Sequence, residues 1–204
     1  MTFSGQEIRE AIGGRALGEP PAAPMTIATD TRTLERGQAY LALHGEHFDG
    51  NDFARDAFVR GAALAIVERE DAVPPGRPAI VVDDALRAYH ALAAIARARS
   101  AARVVAITGS TGKTTTKALL VQMLANAGVR VRGTPHNENN EIGVAKLLLS
   151  LSGEEDIVVV EMGCRHYGEI AELVAIARPH VGVLTNIGEA HLEIMGTRER
   201  LAET

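Results

Sequence analysis

The chemistry-bearing stretch is Gly109-Ser110-Thr111-Gly112-Lys113-Thr114-Thr115, which sets two glycines, one lysine and four hydroxyls within seven positions. Glycines let backbone N–H groups turn toward a polyanion, an ammonium neutralises phosphate charge, and a hydroxyl such as that of Thr114 can ligate Mg²⁺. The ligand this predicts is a nucleoside triphosphate, ATP, with Mg²⁺. A glycine turn beside a surface lysine is the plainer alternative. The string reads GxxGK[ST], whereas GxxxxGK[ST] spacing would put the first glycine at Ile107, so the loop is a variant type. It has the context a phosphate loop needs. Residues 103–107 form a β-branched run, and Ala118, Leu119, Met123, Leu124 and Ala127 recur at helical spacing until Gly128.

The elements that must position this loop follow a repeated pattern. Strands at about 103–107, 129–132, 157–160 and 181–185 alternate with helices at about 114–127, 141–150, 168–178 and from 197 onward. The runs 157–160 and 181–184 are continuously apolar, as strands covered on both faces require, so a mainly parallel, helix-flanked sheet is expected. Ligands of open α/β sheets sit beyond the carboxyl ends of the strands. Glu161 follows the third of these strands, and Asn186 and His191 follow the fourth. A carboxylate and an imidazole at the edge that carries a triphosphate loop make a Mg²⁺ shell. Taken singly, Glu161 is a strand-end carboxylate and His191 a surface or core histidine; the agreement of three strand ends carries the reading. Between the second strand and its helix, Asn137, Asn139 and Asn140 could orient phosphate or carboxylate oxygens. A solvated loop ending in an N-cap at Asn140 is an equal reading.

Residues 1–82 form a separate small α/β unit by pattern. Ser4-Gly5-Gln6-Glu7 is a capping box opening a helix with Ile8, Ala11 and Ile12, stopped by Gly13-Gly14. Short apolar runs follow at 25–29, 39–43, 63–67 and 79–82, with a helix at 52–60 closed by Gly61. Asp30-Thr31-Arg32 offers an arginine beside a hydroxyl, and the segment 44–53 crowds polar groups around Gly45 and Gly50. On composition alone a turn with a surface ion pair, and a loop with an N-cap at Asn51 or Asp52, are the better readings. Asp83 and Asp84 start a helix to about residue 99 with Leu86, Tyr89, Leu92, Ala93 and Ala96 on one face. The domain boundary is placed near residue 83, giving domains 1–82 and 83–204.

Composition narrows the class. In 204 residues, 46% hydrophobic content supports a proper core, and a net charge of −5 leaves no footprint for nucleic acid or an anionic membrane. Aromatic residues at 3%, with no Trp, argue against a base-stacking surface. A single cysteine, Cys164, excludes an internal disulfide framework, and no apolar stretch reaches the roughly 20 residues of a membrane span. A cytoplasmic protein without membrane insertion is expected.

Several separated strings resemble one family. The segments 107–114, 137–144, 161–170 (Glu161-Met162-Gly163 onward) and 185–193 (Thr185-Asn186-Ile187 onward), with Asp30-Thr31-Arg32 and 48–53 before them, are similar to the ATP-dependent Mur ligases of peptidoglycan synthesis. The likeness is strongest to the branch that joins D-alanyl-D-alanine to UDP-N-acetylmuramoyl-tripeptide. It implies a UDP-muramoyl-peptide-binding domain followed by part of a P-loop ATPase domain, and an amide-forming reaction through an acyl phosphate with release of ADP and phosphate. By the same resemblance Lys113 neutralises the β/γ-phosphates, Thr114 and Glu161 hold one Mg²⁺, and His191 helps hold a second. Gly109, Ser110, Thr111, Gly112 and Thr115 complete the nucleotide cradle. Asn137, Asn139 and Asn140 orient substrate or phosphate groups, Thr31 and Arg32 contact the UDP portion, and Gly45, Asp49 and Gly50 lie beside the uracil. A monomer acting on small molecules is implied. Asn51 departs from the family's frequent histidine. The resemblance also implies a carbamylated lysine, the rest of the ATPase domain and a third domain beyond Thr204, so the chain alone is expected not to complete the reaction. A sibling ligase adding one amino acid to the UDP-muramoyl-dipeptide, or a nucleotide-binding module without turnover, are the alternatives.

Overall fold

The computed structural model describes residues 1–45, 47–135, 138–188, 200 and 203, in two compact units, Met1–Leu92 and Ala93–Thr204. In the first, the Ser4 hydroxyl accepts from the Glu7 N–H at 3.2 Å while the Glu7 carboxylate accepts from the Ser4 N–H at 2.7 Å. This reciprocal cap opens α1 (Gly5–Ile12), and Gly13 closes it in the left-handed conformation. The strands are β1 (Arg15–Leu17), β2 (Ile27–Ala28), β3 (Ala39–Leu41), β4 (His44–Gly45), β5 (Phe48–Asp49), β6 (Leu64–Val67) and β7 (Ala79–Val81). Five of them make a sheet in the order β1-β7-β6-β3-β2, parallel except for β1, and β4 and β5 form a separate hairpin. Helix α2 (Ala54–Val59) packs against β6, and the alanines 54, 57, 62, 65 and 79 let it approach closely around Tyr40 and Phe58. The Tyr40 hydroxyl donates to the Gly50 carbonyl at 2.9 Å. Burial, with Asp30, Asp49 and Asp56 nearby, pushes its phenol up to about 12.

Three details of this unit depart from the sequence expectation. Neither β1 nor the β4–β5 hairpin carries a readable period, because each strand is only two or three residues long. The helix expected at 52–60 begins as a 3-10 turn, Gly50–Phe53, before α2. Its cap is Asp49 rather than Asn51 or Asp52: Asp49 Oδ1 accepts from the Asn51 backbone N–H at 2.8 Å and from Asn51 Nδ2 at 2.7 Å.

Helix α3 (Ala85–Arg99), started by Asp84 accepting from the Arg87 N–H at 2.8 Å, holds residues of both units. The second unit continues with β8 (Arg103–Thr108), α4 (Lys113–Asn126), β9 (Val131–Gly133), α5 (Glu141–Leu149), β10 (Ile157–Glu161), α6 (Glu169–Ala177) and β11 (Val181–Leu184). Its sheet is wholly parallel in the order β11-β8-β10-β9. Val104, Ile107 and the valines 158–160 bury the centre completely. Register places Glu161 opposite Ile107 and Leu184 opposite Thr108, so three strands deliver their carboxyl ends to one edge. Near the end of α3 the buried Arg97 donates to the Ala177 carbonyl at 2.8 Å and to the Ser100 carbonyl at 3.1 Å, tying down the end of α6. Burial, with Arg178 nearby, holds its guanidinium below the ordinary arginine value.

Helix α4 turns a different face inward from the one its apolar spacing suggests. Leu119 and Met123 are exposed, at 60% and 68%, while Lys117 is buried and Leu120, Val121 and Leu124 are half-buried. The helix is apolar around most of its circumference, so periodicity leaves its rotation open. The loop that starts it sets the rotation, by bringing Lys113 and Thr114 to the strand ends. Among the described residues no helix is long and apolar enough to cross a membrane.

Candidate functional site

The residues after β11 shape the glycine-rich loop. The Thr185 hydroxyl reaches the Thr111 carbonyl at 2.7 Å and the Thr108 carbonyl at 3.2 Å. Asn186 accepts the Thr111 N–H through Oδ1 at 3.2 Å, donates from Nδ2 to the Thr111 hydroxyl at 2.8 Å, and takes the Ser110 N–H on its backbone carbonyl at 3.0 Å. This close approach explains the position of the first glycine. Gly109 has φ of +133°, and a Cβ there would lie 2.1 Å from Thr185 Oγ1 and 2.9 Å from the Asn186 carbonyl. Gly109→Ala is therefore expected to cost on the order of 2 kcal/mol of stability from backbone strain alone and to displace the loop. Urea unfolding and ADP titration check the two effects.

The inner side of the loop is left to a ligand. No side chain caps the first turn of α4, whose N-cap is Gly112, so its N–H groups and the helix dipole are offered to an anion. Lys113 Nζ folds onto the loop's own carbonyls, 2.5 Å from Gly109 O and 3.4 Å from Ser110 O. A phosphate placed at the helix start would meet both the amides and this ammonium.

One strand over, Glu161 is 1% exposed. Oε1 accepts from Thr114 Oγ1 at 2.9 Å and from Asn139 Nδ2 at 3.0 Å; Oε2 lies 2.9 Å from Lys117 Nζ. The Thr134 hydroxyl accepts the Glu161 N–H at 2.9 Å. Burial works against ionisation here, but the donors Lys117, Asn139 and Thr114 outweigh it and hold the carboxyl below the ordinary glutamate value. The set is hard: an ionised carboxylate and a hydroxyl at contact distance beside a phosphate cradle. It suits a divalent cation whose remaining positions are filled by phosphate oxygens and water.

In the first unit, Thr31 is buried and the exposed Arg32 clasps Asp30, with Nη2 2.6 Å from Oδ2 and Nε 2.9 Å from Oδ1. Asp30-Thr31-Arg32 is thus a turn closed by a surface ion pair. Beside the hairpin, His44 pairs with Glu68 and lies 3.3 Å from Asp49, and Arg69 approaches Asp49 at 3.4 Å. The hydrogen bond to Glu68 raises the His44 imidazole above its ordinary value. Gly50 is demanded by space, since a Cβ would sit 2.4 Å from the Leu43 carbonyl. The buried Asn51 accepts the N–H groups of Glu68 and Arg69 on one oxygen, at 2.9 and 3.2 Å. Asn51→Leu would orphan both and is expected to lower the unfolding free energy by about 3 kcal/mol, read by urea unfolding.

Two family patterns match the chain. The Mur ligase family catalytic domain matches residues 25–105, and the Mur ligase middle domain matches residues 107–204, the span that holds the loop, Thr114, Asn139 and Glu161. The chain belongs to the Mur ligase family. A UDP-N-acetylmuramoyl-tripeptide--D-alanyl-D-alanine ligase of Synechocystis sp. is 43% identical over 178 residues, which are 87% of this chain and 39% of that relative. MurF from Acinetobacter baumannii superposes with a TM-score of 0.92 at 36% identity, covering 99% of this chain and 45% of that one. MurF ligase from Thermotoga maritima, solved in complex with ADP, gives 0.81 at 37% identity over 88% of this chain and 42% of its own. The chain spans less than half the length of these relatives.

In this Mur ligase chain the structure brings Lys113, Thr114, Asn139 and Glu161 to one sheet edge. Asn140 caps α5, its Oδ1 accepting the Gly143 N–H at 3.0 Å. His191 and Asn137 lie outside the described residues. Lys117, Thr134 and Thr185 are contributors that the sequence reading does not single out, and Asn186 reads there only as a polar residue after a strand. Lys117 stands one helical turn after Lys113 and so shares its face; that spacing was the available signal. Thr134 follows β9 directly, and Thr185 with Asn186 follows β11, yet nothing in sequence tells that their partners are a backbone amide and a loop.

Proposed function

We propose that the chain is the UDP-binding domain and the first part of the central ATPase domain of an ATP-dependent ligase that adds D-alanyl-D-alanine to UDP-N-acetylmuramoyl-tripeptide. Residues 1–82 take the UDP-muramoyl peptide, with Thr31 and Arg32 toward the UDP portion and Gly45, Asp49 and Gly50 beside the uracil. Residues 83–204 take ATP and Mg²⁺. The observation that carries the reading is the 2.9 Å contact between Thr114 Oγ1 and Glu161 Oε1 beside an uncapped helix start and Lys113. The ligand in the Thermotoga relative and the names of the relatives support it.

The chemistry requires two anions to meet: the peptide carboxylate attacks the γ-phosphate and breaks its bond to the β-phosphate, giving an acyl phosphate and ADP, and the amine of D-alanyl-D-alanine then displaces phosphate, losing a proton as the amide forms. Positioning and charge neutralisation supply the catalysis. Gly109, Ser110, Thr111, Gly112 and Thr115 cradle the phosphates, and Lys113 exchanges the loop carbonyls for β/γ-oxygens. Thr114 and Glu161 would hold Mg²⁺, which when bound screens charge on the transferring phosphoryl group; His191 would help hold a second ion. Asn139 fixes the Glu161 carboxylate, and Asn137 and Asn140 would orient substrate or phosphate groups. The reaction belongs to the cytoplasm, the enzyme to a monomeric state. Calorimetric titration of the 204-residue chain with MgATP and with UDP-N-acetylmuramoyl-tripeptide tests this. Binding of both without D-alanyl-D-alanine-dependent ADP release is expected; failure to bind MgATP would remove the basis of the proposal.

A further inference from the structure

Lys117 has no part in the reaction as derived above, yet it is built into the site. Its side chain is 8% exposed, that of Glu161 is 1% exposed, and Nζ lies 2.9 Å from Oε2. The other carboxylate oxygen already accepts from Thr114 and Asn139. Oε1 is therefore held by hydrogen-bond donors of the chain and Oε2 by the Lys117 ammonium through an ion pair, so the charge of Glu161 is balanced before any cation arrives. A buried ion pair adds little net stability over an apolar pair of similar volume, so packing alone gives no reason for a lysine here. A free divalent ion approaching Glu161 meets the charge of Lys117 a few ångströms away across a site of low dielectric. A cation that arrives on a polyphosphate brings anionic charge that offsets this repulsion.

We propose that Lys117 is a built-in counter-ion that prevents Glu161 from taking a divalent cation by itself, so that the metal enters as its complex with the nucleotide. Lys117 is a positioning residue, acting through Glu161 and touching neither phosphate nor substrate. This rests on reading the loop and Glu161 as the nucleotide and cation site. The two lysines of α4 divide the work by helical spacing: Lys113, at the helix start, meets phosphate, and Lys117, one turn on, meets the carboxylate.

The test is Mn²⁺ titration without nucleotide, followed by the electron paramagnetic resonance of free Mn²⁺. It compares the unaltered chain, Lys117→Met, Lys117→Gln and the double variant Lys117→Met with Glu161→Gln. Lys117→Gln can still donate to Glu161 and covers the case in which Lys117→Met fails to fold. Both single variants are expected to bind free Mn²⁺ at least about tenfold more tightly than the unaltered chain, and the double variant to lose that gain. MgADP binding by the unaltered chain is measured alongside. Its absence overturns the nucleotide-site reading and this proposal with it. Its presence together with unchanged Mn²⁺ affinity in the single variants, or a gain that persists in the double variant, overturns the counter-ion role alone.

Discussion

Replacing Glu161 with alanine is expected to lower the unfolding free energy of the second unit by about 3–5 kcal/mol, because it leaves the Lys117 ammonium buried without its counter-charge. The Thr114 hydroxyl and the Asn139 amide lose their acceptor in the same step, and the cavity adds to the loss. Glu161→Gln keeps the shape and separates charge from volume. It also isolates a pH effect of known sign. The folded-state carboxyl lies below its ordinary value of 4.5, so its stabilisation is full above that value and is lost as pH falls through the lower folded one. Asp49, Glu155, Asp156 and Glu169 are lowered too and share the acid limb. The contribution of Glu161 is therefore read as the difference between the unaltered chain and Glu161→Gln in urea unfolding from pH 7 to pH 3. Coincident acid limbs would refute the assignment.

The second large effect is on binding with stability spared. Lys113→Met removes an ammonium whose contacts in the free chain are two carbonyls of its own loop. Loss of these exposes little and costs little. In the complex the same ammonium would make charge-assisted bonds to phosphate, each worth about 1.5–3 kcal/mol. ADP affinity is expected to fall by about a hundredfold while the urea midpoint stays nearly constant. Calorimetric titration and unfolding on one preparation measure both. A large stability loss with affinity retained would assign Lys113 to the loop's structure instead.

These two residues differ in how far sequence could reach them. Lys113 is legible because its neighbours in the chain are its partners: glycines, hydroxyls and a helix start, all within seven positions. Glu161 was placed correctly at a strand end by the apolar run before it, but its environment comes from α4, from Thr134 and from Asn139. Those contacts span 22 to 47 residues of chain, and no local period encodes them. The same holds for the loop's outer support. Thr185 and Asn186 read only as polar residues after a strand until β11 pairs with β8 and sets them against Thr111.

In the first unit the sequence alone placed the capping box, the glycine stop and the apolar runs, because each is a local matter of side chains satisfying nearby backbone. It could not place β1, which has no period of its own and exists as a strand because β7 offers it an edge. Nor could it tell that Asn51 is a buried tie rather than a helix cap, since its partners are the N–H groups of Glu68 and Arg69.

By itself, then, the sequence determined the order of the strands and helices from β8 to β11, the covered core strands β8 and β10, and a phosphate loop at the end of one strand. These follow from short-range sterics, hydrogen bonding and hydrophobic periodicity. The continuous apolar run of β11 reads as a strand covered on both faces, yet its Val181 and Leu184 are exposed. Only the tertiary structure decided which face of α4 is buried, that Lys117 is paired with Glu161, and that Gly109 is required by the approach of Thr185. Each of those is a contact between segments remote in the chain, fixed by parallel strand register and by the exclusion of two side chains from one space.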